Sequence, residues 1–181
     1  MPRHLARRSV YRFFVVLSTA AFLLLLLAER SAMAADVSSL FQQARTTATQ
    51  LSRDAAIMET YPRTLVTWRT HSSQIDRIKE HINTAGSILS QLHAAREDSQ
   101  PWHQDAIDGI TPMLKELASN TESIINRLNE TPKLLRHPQY VQYLKSNAQL
   151  ANDLATAIRN VVDYDDTKTK MEELEARLLQ K

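Results

Sequence analysis

The sequence contains no cysteine, and only two of its 181 residues are glycine, Gly86 and Gly109. Without cysteine there can be no disulfide scaffold, no thiolate metal centre and no covalently attached c-type haem. So little glycine excludes Gly-rich phosphate loops and disfavours folds that depend on tight turns. The chain also lacks a Gly-x-Ser-x-Gly turn, a Walker loop and a zincin helix. What it has in quantity is apolar residues, 43% of the total, and charge, 23%.

The apolar residues fall in two kinds of segment. The first is a leader. Residues 1–12 carry Arg3, Arg7, Arg8 and Arg12 and no acid, residues 13–28 are almost wholly apolar, and Ser31-Ala32-Met33-Ala34-Ala35 follows. A basic start, an apolar middle and an Ala-x-Ala end predict a secretory signal peptide over 1–34, cut between Ala34 and Ala35. The 16-residue apolar run falls short of the roughly 20 residues that span a hydrocarbon core, which argues against an uncleaved anchor. The lack of cysteine excludes a lipoprotein anchor. Arg7-Arg8-Ser9-Val10-Tyr11-Arg12 resembles a twin-arginine export signal, but the five leucines from Leu23 to Leu27 suit the general secretory route better.

Cleavage would change the charge balance. The whole chain has 22 basic and 20 acidic side chains, a net charge of +2. The leader takes with it five arginines and Glu29, so residues 35–181 keep 17 basic and 19 acidic groups. That balance gives no reason to expect a nucleic-acid partner. No later stretch is apolar enough to predict a membrane span.

The second kind of segment is a stripe. Val37, Phe41, Ala44, Ala48, Leu51, Ala55 and Met58 step by four and three, one face of an α-helix that Asp36 caps and Pro62 ends. Leu65, Trp68, Ser72, Ile75, Ile78, Ile82, Ala85, Leu89 and Leu92 form a second stripe, followed by a turn over Arg96–Gln100. Pro101 opens a third helix carrying Trp102, Ala106, Ile110, Met113 or Leu114, Leu117, Thr121, Ile124 and Leu128, with a kink expected near Ile110 from Gly109 and Pro112. After a loop over Asn129–Pro138, the fourth stripe is Val141, Leu144, Ala148, Ala151, Leu154 or Ala155, Ile158, and Val161 or Val162. A break or fraying is expected at Asp163–Thr167, before Met171, Leu174 and Leu178 resume the spacing.

Four amphipathic helices joined by short connections predict an all-α fold, an antiparallel up-and-down four-helix bundle with coiled-coil-like packing. The bundle is expected over 35–165 and a charged helical C-terminal extension over 166–181. Up-and-down winding places Tyr61, Trp68, Tyr140 and Tyr143 at one end, and Phe41, Trp102 and Tyr164 towards the other. Aromatics at bundle ends can serve as plugs, or Trp68 and its neighbours can form a binding mouth between helices.

The sequence offers little for catalytic chemistry. His71, His81, His93, His103 and His137 have no acid three residues earlier and no histidine four residues away, so neither a di-iron pair nor a local zinc pair is predicted. His81 and His93 flank the second stripe as boundary histidines. Asp163, Asp165 and Asp166 fail an EF-hand register, because Lys168 and Leu174 stand where glycine and glutamate are needed. Met58, Met113 and Met171 read as core filler rather than haem ligands.

No catalytic residue, cofactor or metal site is therefore expected. The sequence points to an exported protein, periplasmic or extracellular, that binds a protein or cell-envelope partner or self-associates. Met171, Leu174 and Leu178 are its contact element. The alternative is a periplasmic carrier or sensor of a small ligand or metal, acting through the bundle interior or through Tyr61, Trp68, Tyr140 and Tyr143. In broad architecture such a bundle resembles the extracytoplasmic sensor bundles of chemoreceptors, without their second membrane span.

Overall fold

The computed structural model of the chain describes residues 37–64, 66–130 and 135–179. The leader, its cleavage site, the Asp36 cap, Leu65 and Pro132 lie outside the described residues. Four α-helices account for almost all of the rest: α1 (37–60), α2 (Trp68–Ala94), α3 (Pro101–Glu130) and α4 (Pro138–Leu179). Pro62 ends α1 as expected, because it lacks the N–H a continuing helix needs; Tyr61–Arg63 tighten into one 3-10 turn. Thr67 caps α2, its hydroxyl accepting from the Thr70 backbone N–H at 3.3 Å.

Contacts between helices fix the winding. Asp54 of α1 meets Gln74 and His81 of α2. Arg96 pairs with Asp108, His93 with Thr111, and Trp68 with Leu128, so partners on α2 and α3 run in opposite directions. Arg127 meets Gln139, Thr121 meets Asn147, and His103 faces Asp165, which sets α3 against α4 in the same sense. Ser38 and Arg45 reach Asp165 and Asp163, closing α1 against α4. The diagonal pairs run parallel, with Phe41 against His103 and His71 against Tyr140 near the starts of their helices. This is an antiparallel up-and-down four-helix bundle.

One core runs through it. All seven residues of the first predicted stripe are buried, and Leu40 joins them. Ile75, Ile78, Ile82, Ala85 and Leu92 of α2 are buried as expected, but Ile88 takes the place of Leu89. At the starts of the later helices the predicted face is off by one or more positions. Trp68 remains 40% exposed, and His71 and Gln74 go inward instead. His103 and Ile107 replace Trp102 and Ala106, and Tyr140 replaces Val141. The reason is register. Three residues back from Ile110 is Ile107, and four back from Ile107 is His103, whereas Trp102 is merely the largest apolar side chain nearby.

α4 also corrects an expectation, since it is unbroken through Asp163–Thr167. That acidic stretch is held by α1: Asp163 lies 3.7 Å from Arg45, and Asp165 accepts from Ser38. Lys168 and Glu172, 3.9 Å apart, carry the helix onward. Its 42 residues make a rod of roughly 63 Å at 1.5 Å per residue. α2 and α3, with 27 and 30 residues, are far shorter. α4 therefore overhangs the bundle at the end where α1 and α3 begin. α3 is likewise continuous through Pro112, an exposed residue. Among the described residues, no helix is long and apolar enough to cross a membrane.

Candidate functional site

The two ends of the bundle are built differently. At the end where α2 and α4 begin, His71 is 1% exposed and its Nδ1 lies 3.0 Å from Tyr140 Oη, a hydrogen bond in either direction. Tyr61 packs edge-on against the same imidazole at 5.2 Å and donates to Gln74 Oε1 at 3.3 Å. Gln74 in turn donates to the Asp54 carbonyl at 2.9 Å, and Arg77 donates to Gln74. Burial lowers the His71 pKa and raises that of the Tyr140 phenol, so both are neutral near pH 7. Here polar groups are buried because they satisfy one another.

The sequence-predicted aromatic residues do not converge on one another at this end. Tyr61 and Tyr140 close on His71, with Tyr140 only 3% exposed. Trp68 turns outward, its indole N–H donating to the Leu128 carbonyl at 3.2 Å. Tyr143 is half-buried against α3, where its carbonyl accepts from Asn120 at 3.0 Å. Asn120 and Thr121 also share the buried Asn147 side chain, a polar bridge between α3 and α4.

The opposite end is open. A cleft of about 450 Å³ lies between the starts of α1 and α3 and the overhanging part of α4. Ser38, Trp102 and His103 line one side; Asp165, Lys168, Thr169 and Glu172 line the other. His103 is 2% exposed, stacked on Phe41 at 5.4 Å and against Trp102 at 3.6 Å. Among the described residues, neither of its ring nitrogens has a hydrogen-bond partner, and nor does the buried Nε1 of Trp102. The nearest carboxylate oxygen, on Asp165, is 3.8 Å from His103 Nε2, too far for a hydrogen bond. Burial lowers the His103 pKa and Lys168 pushes the same way, against the opposing pull of Asp165. Lys168 Nζ lies 5.9 Å from the centre of the Trp102 ring, which Tyr164 meets edge-on at 4.9 Å.

Beyond the cleft, α4 continues without a partner among the described residues of the bundle. Met171, Leu174 and Leu178 are 57%, 58% and 72% exposed, and Leu179 is 89% exposed. Their spacing of three and four puts Met171, Leu174 and Leu178 on one helical face. Tyr164, also exposed, lies on the same line seven residues before Met171.

His81 is half-buried and 3.1 Å from Asp54, and exposed His93 pairs with Thr111 at 3.0 Å, so these two do stand at the edge of α2. Among the described residues the buried histidines are His71 and His103, and His137 is exposed. Among the described residues, no three His, Asp or Glu side chains come together as a metal site. Within the core, an apolar void of about 20 Å³ lined by Ala44, Ala85, Leu114 and Leu154 is too small for any cargo but a single water. No protein-family model, curated protein or solved structure matches this chain.

Proposed function

We propose that this protein is an exported binding module whose overhanging helix docks a partner protein of the cell envelope. The observation that carries the reading is the row of Met171, Leu174 and Leu178, more than half exposed on a helix that continues past its own bundle. Leaving such side chains in water forgoes roughly 1.5–3 kcal/mol each relative to full burial, a gain available to a partner helix laid along them. Glu172, Glu173, Glu175 and Arg177 flank the row and would form the polar rim of that contact. The basic and apolar leader supplies the route out of the cytoplasm, and the bundle supplies a rigid mount. Reaction chemistry has no part in this reading.

Two measurements test it in the native host. Mass spectrometry of the accumulated protein is expected to find a chain that begins at Ala35; an intact leader in the cell interior contradicts export. A photo-crosslinking residue at Leu178 is expected to trap an envelope polypeptide, while the same residue at Arg136, on the opposite end, traps none. Replacing Met171 and Leu174 by Ser, with the photo-crosslinking residue kept at position 178, is expected to abolish that crosslink with helicity unchanged. Equal crosslinking from both ends, or none from Leu178, contradicts the docking role.

A further inference from the structure

The cleft at the root of the overhang is separate from the exposed row on α4, and its chemistry is unfinished. Trp102 Nε1–H is a donor only, and it is buried with no acceptor among the described residues. The neutral imidazole of His103 offers one donor and one acceptor, and both are idle in a residue 98% buried. An unmet buried polar group of this kind costs about 1–3 kcal/mol. At the opposite end, the equivalent buried histidine has its tyrosine.

The lining restricts what can complete these groups. Asp165 and Glu172 carry two negative charges against the one positive charge of Lys168, so an anion gains little. The carboxylates do not gather with His103 as metal ligands. A ligand here must accept from the indole and ammonium, donate to the carboxylates, and do both at the imidazole. Each hydroxyl group donates one hydrogen bond and accepts two, so a ligand carrying several hydroxyls meets all three demands. The volume of about 450 Å³ lies within the range of small-molecule pockets, roughly 300–1,000 Å³.

We infer that the cleft between Trp102, His103, Asp165, Lys168 and Glu172 binds an uncharged polyhydroxylated ligand, one or two sugar units in size. Trp102 and His103 form its floor, donating to and accepting from ring hydroxyls. Asp165 and Glu172 accept from hydroxyls at the wall that α4 supplies. The side chains of Tyr164, edge-on to Trp102, and Lys168, over its ring, move aside to admit it.

The test uses the whole processed chain. The protein has two tryptophans, so Trp68→Phe leaves Trp102 as the sole indole reporter. Its fluorescence is titrated with glucose, with N-acetylglucosamine, and with a soluble N-acetylglucosamine tetramer. The expected result is a saturable change with Kd of roughly 0.1–10 mM for at least one sugar, a weak-site affinity. Tighter binding of the tetramer identifies a glycan chain as the source, and equal or tighter binding of a monomer identifies a free sugar. His103→Leu and Glu172→Gln are each expected to weaken binding at least tenfold with helicity retained; Glu172 is largely exposed, so its variant keeps the fold. The proposal is overturned by no saturable change up to about 100 mM of every sugar, by unchanged binding in both variants, or by saturation with acetate or phosphate instead.

Discussion

The closed and open ends of this bundle solve the same packing problem in different ways. Each puts a histidine inward at the first turn of a helix, and each surrounds it with aromatic rings. At the closed end His71 reaches Tyr140, and Tyr61, Gln74 and Asp54 continue the hydrogen bonds outward. At the open end His103 is equally buried but bonded to nothing, beside a cleft and under an overhanging helix. Burial alone therefore does not reveal the role of a polar side chain. A satisfied group holds the fold together, whereas an unsatisfied one costs the fold stability and is left poised for something else.

The largest effect expected from breaking this contrast lies in the core that both ends share. Ile78, fully buried, is expected to cost about 2–5 kcal/mol when changed to Ala, measured by urea unfolding. Leu178→Ala on the overhang is expected to stay within about 0.5 kcal/mol of the parent. The histidines come next. His71→Leu strands the Tyr140 hydroxyl in the interior and is expected to cost about 1–3 kcal/mol. His103→Leu removes two idle nitrogens and keeps an apolar contact with Phe41, so it is expected to be neutral or stabilising. Equal losses from the two substitutions would erase the distinction between the ends.

Acid provides a finer comparison. Burial holds both histidines below the ordinary imidazole pKa, so the unfolded chain takes up protons that the folded chain resists. Stability is then complete above about pH 6.5 and falls as pH drops below it. Replacing both histidines by Gln is expected to flatten that dependence between pH 7 and pH 5, read by thermal melts. The smallest effect is expected from ending the chain after Lys170, which keeps Asp165 and Lys168 against the bundle. The melting temperature should change little, while the proposed envelope contact is lost.

Much of this architecture is legible in the sequence, because a four-three step in apolar residues leaves few options other than helices sharing a core. All seven residues of the first stripe, from Val37 to Met58, are buried, and Leu40 and Thr47 go inward beside them. At three helix starts the inward residue is polar or aromatic and its neighbour is greasier: Trp68 before His71, Trp102 before His103, Val141 after Tyr140; Ile88 and Ile107, inward in place of Leu89 and Ala106, are shifts of register between two apolar residues. The signal that finds these residues is the step itself, carried one turn further back than the apolar residues extend. The open cleft was less accessible, because Asp165 and Lys168 look like a solvated joint until α1 and α3 are placed beside them. The continuity of α4 through Asp163–Thr167 depends on the same long-range partners, Ser38 and Arg45, more than 100 residues earlier.

One helix crosses both regions, and amide hydrogen exchange along α4 therefore tests the account most directly. In the isolated protein, amides from Leu144 to Val162 are expected to exchange slowly, with the free energy of global unfolding, and those from Met171 to Leu179 to exchange within seconds to minutes. Slow exchange through Leu179 in the monomer would mean that the overhang is part of the core, and would contradict the division on which the binding role rests.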